Sequence, residues 1–418
     1  MFLNTFKNLI LFLFVITTAS CRNQDAKDKN VGAQNSEPLH DPIVLGANRT
    51  EAYLPQLENR KVGIIGNNTT VIKKSLSKSP EIEEQEKYTH LVDSLVSLNV
   101  NVVKVFAPEH GFRGVEPAGA KITDGVDSKT GLPLLSLYGS NTKPSDEQLE
   151  DVDVLIFDIQ DVGTRFYTYI STLHLVMEAA AENKIPIIVL DRPNPNGSYI
   201  DGPILEAAHQ SFVGMDPVPV VHGLTIGEYA QMLNGEKWMN NGIQADLTVV
   251  EMENYNHNLQ YAPPFKPSPN LPNATAINLY PSLCFFEGTN VNAGRGTSNQ
   301  FQVFGSPFLN PEVYDYTYVP RPNEGANDPK HNGVTVYGKN LTDHPSINEI
   351  NLDWLINAYN NTSNKEDFFR EGFFTKLAGT KKLQEQIESG MTSQEIKATW
   401  KEGLKDYAQI REKYRIYE

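Results

Sequence analysis

With 418 residues, 39% of them hydrophobic and 21% charged, the chain has the composition of a soluble globular protein and a length that calls for two domains. A formal net charge of -15 and no long Lys/Arg run exclude a general affinity for nucleic acid or anionic membrane, because both need basic patches. Only two cysteines are present, Cys21 and Cys284, so the fold must stand on its core rather than on disulfides.

Lys7 precedes an apolar run over residues 9–16, followed by Thr17-Thr18-Ala19-Ser20-Cys21. This pattern predicts a secretory signal peptide over residues 1–20, too short to persist as a membrane-spanning helix. Small residues directly before a cysteine resemble a bacterial lipobox, with Thr18 where leucine is usual. Cys21 is therefore the expected lipidation site, and more than one acyl chain suffices for stable anchoring. Arg22, in place of a retention aspartate, points to the outer membrane, hence a periplasmic or cell-surface, lipid-anchored protein. Residues 21–48 are polar and read as a disordered tether. Cys284, within Leu283-Cys284-Phe285-Phe286, reads as a buried small hydrophobe.

The first buried strand is expected over residues 61–68, ending in Asn67 and Asn68. Tyr88, Leu91, Val92, Leu95, Val96 and Leu98 recur at helical spacing and predict a crossover helix over 83–98. The β-branched run from Val102 is a second strand; it breaks at Pro108 into a loop carrying Glu109, His110 and Arg113 between glycines. A short helix over 146–149 leads to a third strand over 153–161, and a helix over 168–184 buries Leu173, Val176, Met177 and Ala180. Residues 186–190 form a fourth strand, closing on Asp191 and Arg192. Such alternation predicts an α/β fold with a doubly wound parallel sheet. The strand ends then deliver Asn67/Asn68, Glu109/His110, Asp158/Gln160/Asp161 and Asp191/Arg192 to one rim, where sheets of this kind hold ligands. Gly66-Asn67-Asn68-Thr69-Thr70 stands where a dinucleotide fingerprint would, so neither NAD nor any other cofactor is expected.

Past His222, Thr225-Ile226-Gly227-Glu228 is a capping box opening a helix, and residues 245–252 suggest another strand. Prolines crowd residues 262–272 and place a domain boundary there, dividing a catalytic domain over 49–262 from a C-terminal domain over 263–418. A second informative loop runs over 280–297, with aromatic surface, Glu287, Asn290, and Arg295 between glycines as a fork for an anion. A last capping box, Thr392-Ser393-Gln394-Glu395, opens a helix with Ile396, Trp400, Leu404 and Tyr407 on one face.

Pro108-Glu109-His110-Gly111-Phe112-Arg113-Gly114, the run from Asp158 through Thr164-Arg165-Phe166-Tyr167-Thr168-Tyr169, Asp191-Arg192-Pro193-Asn194-Pro195, His222-Gly223-Leu224-Thr225 and Phe286-Glu287-Gly288-Thr289-Asn290-Val291 together resemble the exo-β-N-acetylmuramidases. The resemblance runs from about Val62 to the C-terminus. It implies a Rossmann-like domain, a smaller α/β domain and an active site in the cleft between them. The implied activity is release of β-1,4-linked N-acetylmuramic acid from the non-reducing end of peptidoglycan fragments, in cell-wall turnover and recycling, without a metal. Glycoside hydrolysis needs an acid for the leaving oxygen and a second group for the oxocarbenium-like transition state. Glu109 is the candidate acid, with His110 and the acidic rim to raise its pKa. Glu287, Asp158 and Asp161 are each candidates for base, nucleophile or orienting residue, and the substrate's own 2-acetamido group is a further nucleophile. Arg113, Arg165 and Arg295 are candidates for the lactyl carboxylate, and Tyr167, Tyr169 and Phe286 for stacking on sugar rings. Asn67, Gln160, Asp191, Arg192, His222 and Asn290 complete the candidate substrate-binding set.

Two rivals remain from the residues alone. Glu109, His110, Asp158, Asp161, Asp191 and His222 would also serve a divalent-metal phosphoester hydrolase, although no compact metal motif such as His-Glu-x-x-His is present. A lipid-anchored protein that binds peptidoglycan without turnover would use the same cleft.

Overall fold

The structure, a computed structural model, describes residues 41–74, 87–114 and 124–418. The expected signal peptide, the lipidation site Cys21 and most of the expected tether lie outside the described residues. The tether's last residues depart from expectation, because they pack: Gly46 donates its N–H to the Asp191 carbonyl at 3.0 Å, and Leu45 and Ala47 are buried. Gly46 is required there, since a Cβ would stand 2.3 Å from the Val250 carbonyl oxygen.

In chain order the strands are β1 Val62–Gly66, β2 Val71–Lys73, β3 Tyr88–His90, β4 Val102–Ala107, β5 Gly125–Val126, β6 Pro133–Ser136, β7 Val154–Asp158, β8 Ile187–Leu190, β9 Leu247–Val250, β10 Val303–Ser306, β11 Tyr316–Tyr318 and β12 Val336–Asn340. The main sheet has the order β5-β6-β4-β1-β7-β8-β9, parallel throughout except for the antiparallel edge strand β5. From β6 to β9 this is the doubly wound order, with its switch point between β1 and β7. A smaller three-stranded antiparallel sheet, β10-β12-β11, organises the C-terminal part.

Both faces of the main sheet are covered, which is why its strands are apolar runs rather than alternating ones. The two-residue period sends Ile65, Phe106, Leu155, Phe157 and Val189 to one face and Ile64, Val105, Ile156 and Ile188 to the other. The first face packs on the helices Tyr169–Glu182 and Ile226–Gly235 and continues without a break into Phe285, Phe286, Phe304, Phe374 and Trp400 of the C-terminal part. The two expected capping boxes are present, at Thr225/Glu228 and Thr392/Glu395.

The crossover helix is shorter than its periodicity predicts. It spans Leu91–Ser97, because Tyr88–His90 pair with β2 and the His90 ring accepts from the Val92 N–H at 3.3 Å to cap the helix. Residues 83–86 lie outside the described residues. The expected loop over 280–297 begins as helix, Ala274–Leu283, and tightens into a 3-10 turn, Cys284–Gly288.

Arg165 joins the two parts. Fully buried and without a carboxylate partner among the described residues, its guanidinium donates to the carbonyls of Pro203 (2.8 Å), Val218 (2.7 Å), Leu377 (3.1 Å) and Ala378 (2.7 Å). The last two close the helix Glu371–Ala378, whose negative end favours a cation. Gly379 follows at φ 73°, and a Cβ there would lie 2.6 Å from Arg165 Nη2. Arg165, expected to bind substrate, thus directs both Nη groups to backbone carbonyls, while its Nε is buried without a hydrogen-bond partner among the described residues. Replacing it by Met should cost about 3–5 kcal/mol in urea unfolding, the scale of leaving several buried carbonyls unpaired. Arg165→Lys should recover little, because one ammonium cannot span both pairs of carbonyls.

Candidate active site

Where β4 ends, Pro108 stops the ladder and the chain turns sharply, with His110 at φ 72° and Gly111 at φ 81°. A non-glycine residue held there costs about 1 kcal/mol or more, and such strain gathers at functional sites. Glu109 stands on this turn. Its Oε2 accepts from the Thr168 hydroxyl at 3.0 Å, and its carbonyl accepts from the Tyr169 hydroxyl at 3.3 Å. Asn67 donates in turn to the Tyr169 oxygen at 2.8 Å. Burial, with the Glu109 charge nearby, holds the Tyr169 pKa well up, so the group stays a donor.

Glu109, His110, Glu287 and Arg295 line one cavity of about 260 Å³. Tyr167, Tyr280 and Phe301 supply aromatic surface. Tyr167 is fixed by its hydroxyl's bond to the Pro267 carbonyl at 2.7 Å. Glu287 sits on the 3-10 turn, held close to the helix Glu371–Ala378 because Gly288 packs where a Cβ would be 2.6 Å from Phe374 Cα. Arg295 lies between Gly294 (φ 79°) and Gly296 (φ 81°), with Nε 3.1 Å from Glu287 Oε2 and its guanidinium over the Phe301 ring at 5.7 Å. A second cavity, of about 420 Å³, shares Glu287, Arg295 and Phe373 with the first and adds Lys330 and Arg370. Cys284 also lines the first cavity, but burial pushes its thiol pKa far up, so it is no nucleophile.

At the sheet's switch point the side chains bond to one another. Thr70 donates to the Asp158 carbonyl at 2.5 Å, the Gln160 N–H donates to Thr69 Oγ1 at 3.0 Å, and Asn67 Oδ1 accepts from Thr69, so polar side chains fill the crevice. Several of the rim residues expected to act on substrate make hydrogen bonds within the fold there. Asp158 is wholly buried against Arg192 in a fork of 2.5 and 2.8 Å. Gln160 donates to the carbonyls of Asp161 and Pro193 at 2.8 and 2.7 Å. Asp161 accepts from the Gly163 N–H at 2.6 Å and lies 3.5 Å from His222. Asp191 accepts from Thr225, Gly227 and Tyr417 at 2.7 to 2.8 Å.

Asn290 bonds the Phe368 carbonyl through its N–H at 2.8 Å, and its own carbonyl meets the His331 ring at 2.6 Å. Phe286 stacks on Phe304 in the core, which corrects its expected place beside a sugar ring. The residues nominated as metal ligands are thus not gathered, since only Glu109 and His110 face the cavity. Thr168, Lys330, Arg370 and Phe373 escaped the sequence reading. Thr168 lay inside a recognised motif, but Lys330 and Arg370 stand in ordinary polar surroundings that carry no local signal.

Glu109 and Glu287 line one small cavity of this α/β protein, and a pair of carboxylates at one site is what glycoside hydrolysis uses. The chain belongs to the NamZ exo-β-N-acetylmuramidase family: residues 62–275 match the model of its N-terminal part and residues 278–417 that of its C-terminal part. It is 36% identical over 425 aligned residues to the peptidoglycan β-N-acetylmuramidase NamZ of Bacillus subtilis (strain 168), with 97% of each chain covered. Two crystal structures of DUF1343 family proteins from Bacteroides fragilis NCTC 9343 are similar, at 43% identity and TM-score 0.80 and at 29% and 0.72. Each comparison covers 90% of this chain and 99% of the other.

Arg113, another expected substrate contact, is occupied elsewhere: it forks onto Asp127 at 2.6 and 2.8 Å and onto Asp93 at 2.6 and 3.2 Å. The Arg113 guanidinium holds Asp127 far below the usual carboxylate range, and against burial Arg113 and Lys129 hold Asp93 down too. Depressed carboxylates stabilise the fold above their unfolded pKa near 4, and the stabilisation is lost as pH falls through the folded values. Arg113→Ala should therefore lose about 3 kcal/mol at pH 7 in urea unfolding. The gap from the parent protein should narrow steadily below pH of about 4.

Proposed function

We propose that this chain is an exo-acting glycoside hydrolase that releases β-1,4-linked N-acetylmuramic acid from the non-reducing end of peptidoglycan fragments, in cell-wall turnover and recycling. The observation that carries this reading is its likeness, through both halves, to a peptidoglycan β-N-acetylmuramidase. The site's geometry supports it. A cavity of about 260 Å³ is at the small end for a ligand pocket and suits a single terminal sugar.

Glu109 is the general acid that protonates the leaving glycosidic oxygen, with the Thr168 hydroxyl fixing its carboxyl rotamer. Glu287 supplies the second carboxylate, for the positive charge at the anomeric carbon and for the incoming nucleophile. Arg295 holds Glu287 in place. Tyr169 and Asn67 act one step back, through the backbone of Glu109. His110 holds the turn on which the acid stands.

The N-terminal signal and lipobox support delivery to the periplasm or cell surface and anchoring through lipid on Cys21, at the outer membrane. Tether and anchor would keep the enzyme beside its substrate.

The chain lacking residues 1–21 should release chromophore from an aryl β-N-acetylmuramide. Glu109→Gln should lower kcat by about 10²–10⁴-fold with an unchanged melting temperature. Near-normal turnover by that variant would remove Glu109 from the mechanism, and a folded parent protein without activity on the muramide would remove the reading itself.

A further inference from the structure

The chamber of about 420 Å³ beside the catalytic cavity holds five charged side chains: Glu287, Arg295, Asp328, Lys330 and Arg370. Three cations therefore meet two anions, in a protein whose net charge is -15. Each cation can be accounted for. Arg295 is ion-paired with Glu287 through Nε at 3.1 Å. Lys330 spends its three donors on the carbonyls of Phe286, Thr289 and Val291, so it contributes charge but no free hydrogen. Arg370 forms no ion pair among the described residues, with Asp328 or any other acid, and its fork is open to the chamber.

We propose that this chamber receives the lactyl carboxylate of N-acetylmuramic acid, with Arg370 as the hydrogen-bonding fork, and so sets the choice between muramic acid and glucosamine. The inference rests on the muramidase reading above. The layout fits the substrate. Glu287, Arg295 and Phe373 border both spaces, whereas Glu109 faces only the catalytic cavity and Arg370 only the chamber. In the sugar, the lactyl ether on C3 stands two ring carbons from the anomeric carbon, beside the C4 end of the ring. With the anomeric carbon at Glu109, the ether points past Glu287 into the chamber.

A planar guanidinium suits this task, because it binds a carboxylate through two parallel bonds that a hydroxyl cannot reproduce. Lys330 lies buried beside these charges. Burial, the opposing charge of Glu287 and the repulsion of Arg370 and Arg295 leave its pKa down at about 7. An entering carboxylate relieves that repulsion. Arg370 is exposed and its side chain makes no hydrogen bond or ion pair among the described residues, so its removal leaves the scaffold whole.

The test compares kcat/KM for aryl β-N-acetylmuramide and aryl β-N-acetylglucosaminide in the parent protein, Arg370→Ala and Arg370→Lys. It also measures competition by N-acetylmuramic acid against its methyl ester in the parent protein and Arg370→Ala. Arg370→Ala should lose about 10–100-fold on the muramide, chiefly through KM, with the glucosaminide changed less than about twofold. Arg370→Lys should recover part of the loss. The parent protein should bind the free acid more tightly than the ester, and Arg370→Ala should not distinguish them. Equal losses on both sugars, an unchanged ratio, or equal binding of acid and ester by the parent protein would overturn the inference while leaving the muramidase reading intact. No release from the muramide by the folded parent protein would remove both. The ester comparison on the parent protein decides the matter even if a variant fails to fold.

Discussion

A single buried guanidinium holds the site together. Arg165 grips the carbonyl end of the helix Glu371–Ala378, and three residues later Thr168 and Tyr169 hold the side chain and backbone of Glu109. The opposite end of the same helix presents Arg370 and Phe373 to the chamber, and its first turn packs on Gly288 beside Glu287. Five consecutive residues, Arg165 to Tyr169, thus tie Glu109 and the helix beside Glu287 into a common frame. Catalysis depends on such placement, because an error of about 1 Å at a reacting centre costs on the order of 10²-fold.

The same constraint explains why the site stands away from the sheet's switch point. That crevice is closed by Asn67, Thr69, Thr70 and the ends of β1 and β7. The rim there acts as a support in which Asp158, Gln160 and Asp191 are hydrogen-bonded within the fold. Functional groups are displaced to the neighbouring strand end at β4, where the strained turn at His110 lifts Glu109 away from the sheet and toward the C-terminal part. A polar rim in a doubly wound sheet therefore serves two purposes, and only the loop that meets another structural part carries chemistry.

Much of the fold was legible in local patterns. The apolar runs that became β1, β4, β7 and β8 are readable because a strand covered on both faces needs no polar alternation. The capping boxes at Thr225 and Thr392 are local hydrogen-bond patterns and are readable for the same reason. The helix over 83–98 was read too long, because its periodicity is silent about a strand partner for Tyr88–His90. Strands as short as Tyr316–Tyr318, half-buried and flanked by loops, leave no period to detect. In the site, Glu109, Glu287 and Arg295 were legible as charged residues at breaks in apolar runs. Asp158 looked identical to them in sequence, and what removes it is Arg192, 34 positions away, which only the folded sheet brings alongside. Arg370 was missed for the converse reason, since nothing around it in sequence shows that it lacks a partner.

The account turns on one place, the space between Glu109 and Glu287, and a crystal structure with N-acetylmuramic acid tests it most directly. The sugar ring should lie in the cavity of about 260 Å³, with its anomeric carbon toward Glu109 and Glu287 alongside the ring. A sugar seated instead in the separate groove lined by Asn258, Asn278 and Asn348, with the Glu109 cavity empty, would contradict it.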